Sequence, residues 1–126
     1  MARNFHDLEV WKLAYNLALD LYRITENFPK NEEVNLIQQI RRASVSIPLN
    51  IAEGCSRFSK RAFLQFLSYS YGSCRELEVL LMLSKDLAYV NNEEFKLLYE
   101  KLDKLSRKLF TFMTSINKEK FFNWFK

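Results

Sequence analysis

The side chains with chemical potential in this sequence lie mostly between Gln39 and Glu78. Gln39, Arg42, Ser46, Asn50, Glu53 and Arg57 follow one another at spacings of 3, 4, 4, 3 and 4, which on a helix makes one continuous polar stripe. Such a stripe is either a solvated face or a hydrogen-bonding surface. It touches Gly54, and a second glycine stands in Gly72-Ser-Cys-Arg-Glu76 inside a predicted helix, where glycine costs about 1 kcal/mol relative to alanine. Close approach of two helices at Gly54 and Gly72 accounts for both. It also brings Glu53 or Glu76 within reach of Arg42 or Arg57 across the seam, in a network that fixes register.

Paired carboxylates in a helical bundle raise di-metal chemistry, but that needs two Glu-x-x-His elements, and His6 is the single histidine. Cys55 and Cys74 have neither zinc spacing nor a neighbouring histidine base, and no glycine-rich phosphate loop is present. The expectation is no catalytic residue, no metal and no cofactor, hence no enzyme. The segment Arg57-Phe-Ser-Lys-Arg61 is different, because it interleaves basic groups with an aromatic ring. Phosphate contacts plus a stacking platform suit single-stranded or looped RNA; an ordinary exposed turn has the same composition.

Charge is distributed in blocks. Residues 36–75 carry Arg41, Arg42, Arg57, Lys60, Arg61 and Arg75 against Glu53 alone, residues 76–100 are acidic, and residues 101–126 are basic again. The net charge is +4. Blocks of alternating sign either neutralise one another between neighbouring helices or gather into one phosphate-binding patch. The six cations of the middle block are the candidates for that patch.

Helices must position these groups. Only 2 glycines and 2 prolines in 126 residues leave too little turn chemistry for many short strands. In helix 1, about Asp7 to Asn27, one row is Leu8, Trp11, Tyr15, Ala18 and Tyr22, and a second is Val10, Ala14, Leu17, Leu21 and Ile24. Two rows exceed what one core-facing stripe needs, so part of this face is expected to meet another subunit, with Trp11, Tyr15 and Tyr22 as candidate contacts. Asn31, followed by Glu32 and Glu33, is read as the N-cap of helix 2, which runs to about Arg57 on Val34, Ile37, Ile40, Ser44, Ile47, Ile51 and Cys55. Pro48 inside it predicts a kink. Ser59 caps helix 3, whose stripe is Phe63, Phe66, Leu67, Cys74, Leu77, Leu81 and Ala88. Asn91 with Glu94 opens helix 4 on Phe95, Leu98, Leu102, Leu105, Leu109, Phe112 and Ile116. The expected fold is all-α, an antiparallel up-down-up-down four-helix bundle over residues 1–117, with an aromatic and basic tail at 118–126. The tail is expected to dock on its own bundle or on a neighbouring subunit, with Phe121, Trp124 and Phe125 as further candidates for a subunit contact, and binding to a membrane surface is the alternative. The opening residues lack the continuous apolar core of a signal peptide and no aliphatic run can span a bilayer, so a cytoplasmic location without a membrane span is expected.

The block Gln39-Ile-Arg-Arg-Ala-Ser-Val-Ser-Ile-Pro-Leu-Asn-Ile-Ala-Glu-Gly54, followed by Arg57 and by Gly72-Ser-Cys-Arg-Glu-Leu-Glu78, resembles the four-helix-bundle family named for 23S ribosomal RNA intervening sequences. Phe5-His-Asp-Leu-Glu-Val-Trp11 and Phe28-Pro-Lys30 match as well, so the resemblance covers about residues 5–117. The positions matching the family motif are Gln39, Arg42, Ser46, Pro48, Asn50, Glu53, Gly54, Arg57, Gly72, Ser73, Glu76 and Glu78. Val34-Asn35 departs from the family's aromatic and glycine, and the aromatic tail lies outside the shared pattern. The resemblance implies an antiparallel four-helix subunit in a ring-shaped homopentamer, encoded in some bacteria within insertions in the large ribosomal RNA gene. A related accessory protein of diversity-generating retroelements binds a reverse transcriptase and nucleic acid. The expected function is therefore a non-enzymatic oligomeric bundle that binds RNA or other nucleic acid through its basic surface. The alternative is a homo-oligomeric scaffold for a protein partner.

Overall fold

In the computed structural model, which describes residues 4–119, the apolar rows become four helices: α1 (Glu9–Thr25), α2 (Leu36–Cys55), α3 (Lys60–Asp86) and α4 (Asn92–Lys118). Short 3-10 turns at Phe5–Asp7 and Lys30–Glu32 precede α1 and α2. Among the described residues there is no strand. Each helix packs on its neighbours in sequence and α4 closes against α1, giving a four-sided bundle. The α1–α4 ion pairs, Glu9 with Lys108 at 3.1 Å and Asp20 with Lys101 at 2.6 Å, progress in opposite senses along the two helices. Along α2 and α3, Ser46 meets Ser73 and Ile47 meets Ser70, while Gly54 lies against Phe63 and Phe66.

The core is the set of buried rows. In α1 the second row supplies it: Val10, Ala14, Leu17 and Leu21 are buried, whereas Tyr15 and Tyr22 of the first row stay exposed. Ile37, Ile40, Ile47 and Ile51 come from α2, Phe63, Leu67, Leu77 and Leu81 from α3, and Leu98, Leu102, Leu105, Leu109 and Ile116 from α4. Four apolar stripes turned inward leave mainly water-facing positions for charge.

Two caps form as their sequences suggest. The Ser59 hydroxyl accepts from the Ala62 amide at 3.0 Å, and Asn91 with Glu94 makes a complete capping box. Asn31 does not cap α2. Residues 30–32 form a 3-10 turn and α2 begins five residues after Asn31, at Leu36. Glu32 looks forward instead: its Oε1 accepts from the Leu36 amide at 3.4 Å, and its Oε2 from the Tyr89 hydroxyl at 2.9 Å. Val34 therefore lies ahead of α2 and is 85% exposed rather than part of the stripe.

Helix α2 continues through Pro48. Proline removes the N–H that the Ser44 carbonyl would otherwise receive. Three residues on, Ile47 offers its carbonyl to the Ser70 hydroxyl of α3 at 2.8 Å, so a buried serine ties α3 to α2 immediately before the proline. Helix α3 ends without a glycine. Ala88 takes φ 63°, Tyr89 N–H donates to the Ser84 carbonyl and Ala88 N–H to the Lys85 carbonyl, both at 2.9 Å, the paired bonds of a Schellman stop. Ala88 is consequently an exposed terminator and not a member of the α3 stripe.

Candidate nucleic-acid and assembly surface

The polar stripe of α2 divides into three parts. Gln39 at its start donates to the Asn35 side chain at 2.9 Å, ahead of the helix. In the middle, the Ser46 and Ser73 hydroxyls lie 2.8 Å apart, and Asn50 donates to both the Ser46 carbonyl (2.8 Å) and hydroxyl (3.0 Å). This is a seam between α2 and α3, half-buried and satisfied within the subunit. At the far end Glu53, in the last turn of α2, pairs with Arg57 at 3.2 Å; α2 ends at Cys55 and not at Arg57 as expected, and the ion pair does not cross the seam. The Arg57 guanidinium lies over the Phe66 ring at 4.6 Å, which directs it along α3. Its Nε is buried and has no hydrogen-bond partner among the described residues.

The two glycines have different surroundings. A Cβ on Gly54 would stand 2.8 Å from Phe63 Cδ1 and 3.1 Å from Phe66 Cβ, so α2 and α3 approach there through a glycine. A Cβ on Gly72 would meet nothing of another helix within 4 Å, and the expectation that it admits the neighbouring helix is wrong: Gly72 is on the exposed side of α3. Glu76, also exposed, makes no hydrogen bond or ion pair among the described residues. Its neighbour Glu78 is the one engaged.

Several of the six candidate phosphate contacts serve the fold. Arg41 donates to the Thr25 hydroxyl at 3.0 Å and to the Tyr22 carbonyl at 3.1 Å while covering the Tyr22 ring, placing a cation at the C-terminal end of α1 where the carbonyls favour it. Arg75 donates to Glu78 (2.6 Å) and to the Tyr71 hydroxyl (2.9 Å), and Glu78 in turn accepts from Tyr99 of α4 at 3.1 Å. The hydrogen bond to Glu78 raises the Tyr99 pKa above the usual phenol value, as the one to Glu32 does for Tyr89. Lys60 donates to the Glu119 carbonyl at 2.6 Å. Arg42 and Arg61 make no such bond among the described residues and are exposed. Phe58, 72% exposed, stands between Arg57 and Lys60 at the α2–α3 turn. At that turn Arg61 is the cation without such a bond among the described residues, beside the Phe58 ring and the engaged Arg57 and Lys60, with Arg42 farther along α2.

Sequence reasoning missed Thr25, Phe66, Tyr71 and Tyr99 as partners of these charges. The Tyr71–Arg75 and Arg75–Glu78 spacings of four and three carry a helical signal, but partners contributed by another helix leave none in a single sequence.

On the other side of α2 lies an apolar groove of about 400 Å³ against α1, lined by Trp11, Tyr15, Leu19, Tyr22, Pro48 and Leu49 among others. Phe5 belongs to it and packs edge-on against Trp11 at 4.9 Å, while Trp11 stacks on Tyr15 at 5.0 Å. Tyr15 is 47% exposed and Leu49 62%, so this rigid aromatic surface faces outward. Phe121, Trp124 and Phe125, the other contact candidates, lie outside the described residues. His6 stacks on Phe5 at 4.1 Å and bonds to Asn4. Cys55 and Cys74 are buried, and burial pushes the Cys74 thiol up to about 12, far from a reactive thiolate. No described helix is long and apolar enough to cross a membrane.

Residues 6–111 match the family model described as 23S rRNA-intervening sequence protein. No curated protein is a significant match. Among solved structures, the chain is similar to a protein with unknown function from the S23 ribosomal protein family of Bacteroides thetaiotaomicron. The two share a TM-score of 0.75 and 21% identity over 82% of this chain and 97% of that one, a likeness of fold.

Proposed function

The chain belongs to the 23S rRNA-intervening sequence protein family, and on that premise we propose that it is a non-catalytic bundle that assembles with copies of itself and presents nucleic acid with the basic turn between α2 and α3. The observation that carries the assembly is the α1–α2 groove. A contiguous outward face built from Trp11, Tyr15, Leu19, Tyr22, Pro48 and Leu49 is the kind of surface that soluble chains keep covered. Aromatic anchors on a rigid pair of helices are well suited to a protein contact. The ring of five copies is the arrangement the family resemblance suggests. Replacing Tyr15 and Leu49 by glutamate, both already exposed, is expected to leave helical content intact and lower the mass measured by sedimentation. An unchanged mass contradicts this face as the contact.

The nucleic-acid part rests on Arg61 and Phe58, which together offer a phosphate contact and a stacking ring; Arg57 and Lys60 flank them, and Arg42 extends the track. Labelled single-stranded RNA should bind with an affinity that falls with salt, each neutralised phosphate adding about −0.7 to the log–log slope. Arg61→Glu should abolish that binding. Absence of binding at low salt, with the assembly intact, favours the other reading, a scaffold for a protein partner.

A further inference from the structure

A second apolar surface lies on the outer side of α3. Glu76, Val79, Leu83 and Asp86 follow one another at spacings of 3, 4 and 3, so they share one stripe of the helix, about 15 Å long. Val79 is 63% exposed, and Leu83 and its neighbour Met82 are nearly half exposed. Glu76 and Asp86 bound the stripe, exposed and without a hydrogen bond or ion pair among the described residues. The cations next to them are engaged: Arg75 with Glu78 and Tyr71, and Lys85 over the Phe95 ring at 4.8 Å. The stripe is therefore apolar in the middle and acidic at both ends. The α1–α2 groove has the opposite ends. Trp11 to Tyr22 rises about 16 Å along α1. Lys12 stands beside Trp11 at one end, and at the other Arg42 lines a cavity together with Tyr22, Val45 and Leu49. Both side chains are exposed and have no partner among the described residues.

We propose that the α3 stripe of one copy seats in the α1–α2 groove of the next, with Glu76 and Asp86 reaching Arg42 and Lys12 across the contact. The inference rests on the self-assembly proposed above and names the surface that fills the groove. Three properties match. The two surfaces have nearly equal lengths. Their middles are apolar, with the Met82 thioether available to pack at ring edges, and their free charges are opposite in sign, which aligns the partners. Shape agrees as well: two concave grooves face to face would enclose space, whereas a helix carrying Val79 and Leu83 fills one. Because groove and stripe lie on different sides of the bundle, the contact is head-to-tail. It repeats from copy to copy until it closes into a ring or continues as a filament.

A mixing experiment tests it. The full chain carrying Val79→Glu and Leu83→Glu should fall to monomer mass in sedimentation with circular dichroism unchanged, as should the chain carrying Tyr15→Glu and Leu49→Glu. Each variant keeps the half of the contact that the other has lost, so an equimolar mixture should form a heterodimer of twice the 15.1 kDa chain and nothing larger. An α3 variant that keeps the parent mass while the groove variant dissociates overturns this proposal and leaves the groove as a contact. If both variants keep the parent mass, the groove reading fails and this proposal fails with it. Two monomeric variants that do not combine overturn the head-to-tail contact. Charge reversal gives an independent check should the α3 variant disturb the helices. Arg42→Glu should lower the mass, and adding Glu76→Arg or Asp86→Arg to the same chain should restore it, the effective partner giving the direction in which the stripe lies. Restoration by neither overturns the proposed pairing.

Discussion

The hydroxyls of Ser46 and Ser73 lie 2.8 Å apart across the α2–α3 seam, and Asn50 closes the group by donating to Ser46. One turn along, Ser70 adds a buried bond to the Ile47 carbonyl. These directional bonds sit on an otherwise apolar contact, and they select one register where hydrophobic packing alone tolerates several. Ser73→Ala should therefore cost about 1 kcal/mol in urea unfolding, the usual net worth of a hydrogen bond. A Ser46→Ala, Ser73→Ala double-mutant cycle should show coupling between the two; additive effects would mean the seam does not act as a unit.

The two glycines predict opposite signs. Gly54→Ala places a methyl 2.8 Å from Phe63, which is fully buried, and overpacking of this kind costs about 1–3 kcal/mol. Gly72→Ala meets open space and should stabilise the helix by up to about 1 kcal/mol. Paired thermal melts check both, and equal destabilisation by the two would refute the close approach assigned to Gly54 alone.

Ala88 ends α3 at φ 63°, a conformation that costs an L-residue about 1–2 kcal/mol. Ala88→Gly relieves that strain and gives back part of the gain through the greater freedom of the unfolded chain. The net expectation is stabilisation of up to about 1 kcal/mol. A lower melting temperature would contradict the Schellman stop.

Alkaline titration reads the bonds of Glu32 and Glu78. Tyr89 and Tyr99 have raised pKa values in the folded chain because each hydroxyl donates to a carboxylate. The stability this contributes is complete below the unfolded phenol value of about 10 and disappears as pH rises through the higher folded values. Wild type should lose stability more steeply above pH ~10 than Tyr89→Phe, Tyr99→Phe. Identical slopes would remove those two bonds from the account.

Helices were readable because period and caps agree locally: the Asn91–Glu94 box and the α4 row from Leu98 to Ile116 are both in place. The start of α2 was not, since Asn31 ahead of two glutamates suits a cap on paper, while Glu32 finds Leu36 and Tyr89 only in three dimensions. The candidate site shows the same division. Spacing puts Ser46, Asn50, Glu53 and Arg57 on one helix, and α2 holds the first three but ends at Cys55, before Arg57; whether a polar group faces α3, water or its own helix depends on the neighbour's residues. Ser46 therefore found Ser73, Arg57 found Phe66, and Arg41 found the end of α1. Arg75, read as a phosphate contact from its charge block, lies in a hydrogen-bonded cluster with Glu78 and Tyr71.

Light-scattering mass across a size-exclusion peak, with absorbance read at protein and nucleic-acid wavelengths, tests the central claim most directly. The account predicts a multimer of the 15.1 kDa chain at all salt concentrations, accompanied by nucleic acid at low salt that high salt removes. A monomer at micromolar concentration would contradict it, because the Tyr15 and Leu49 face would then be left open to water with no copy to cover it.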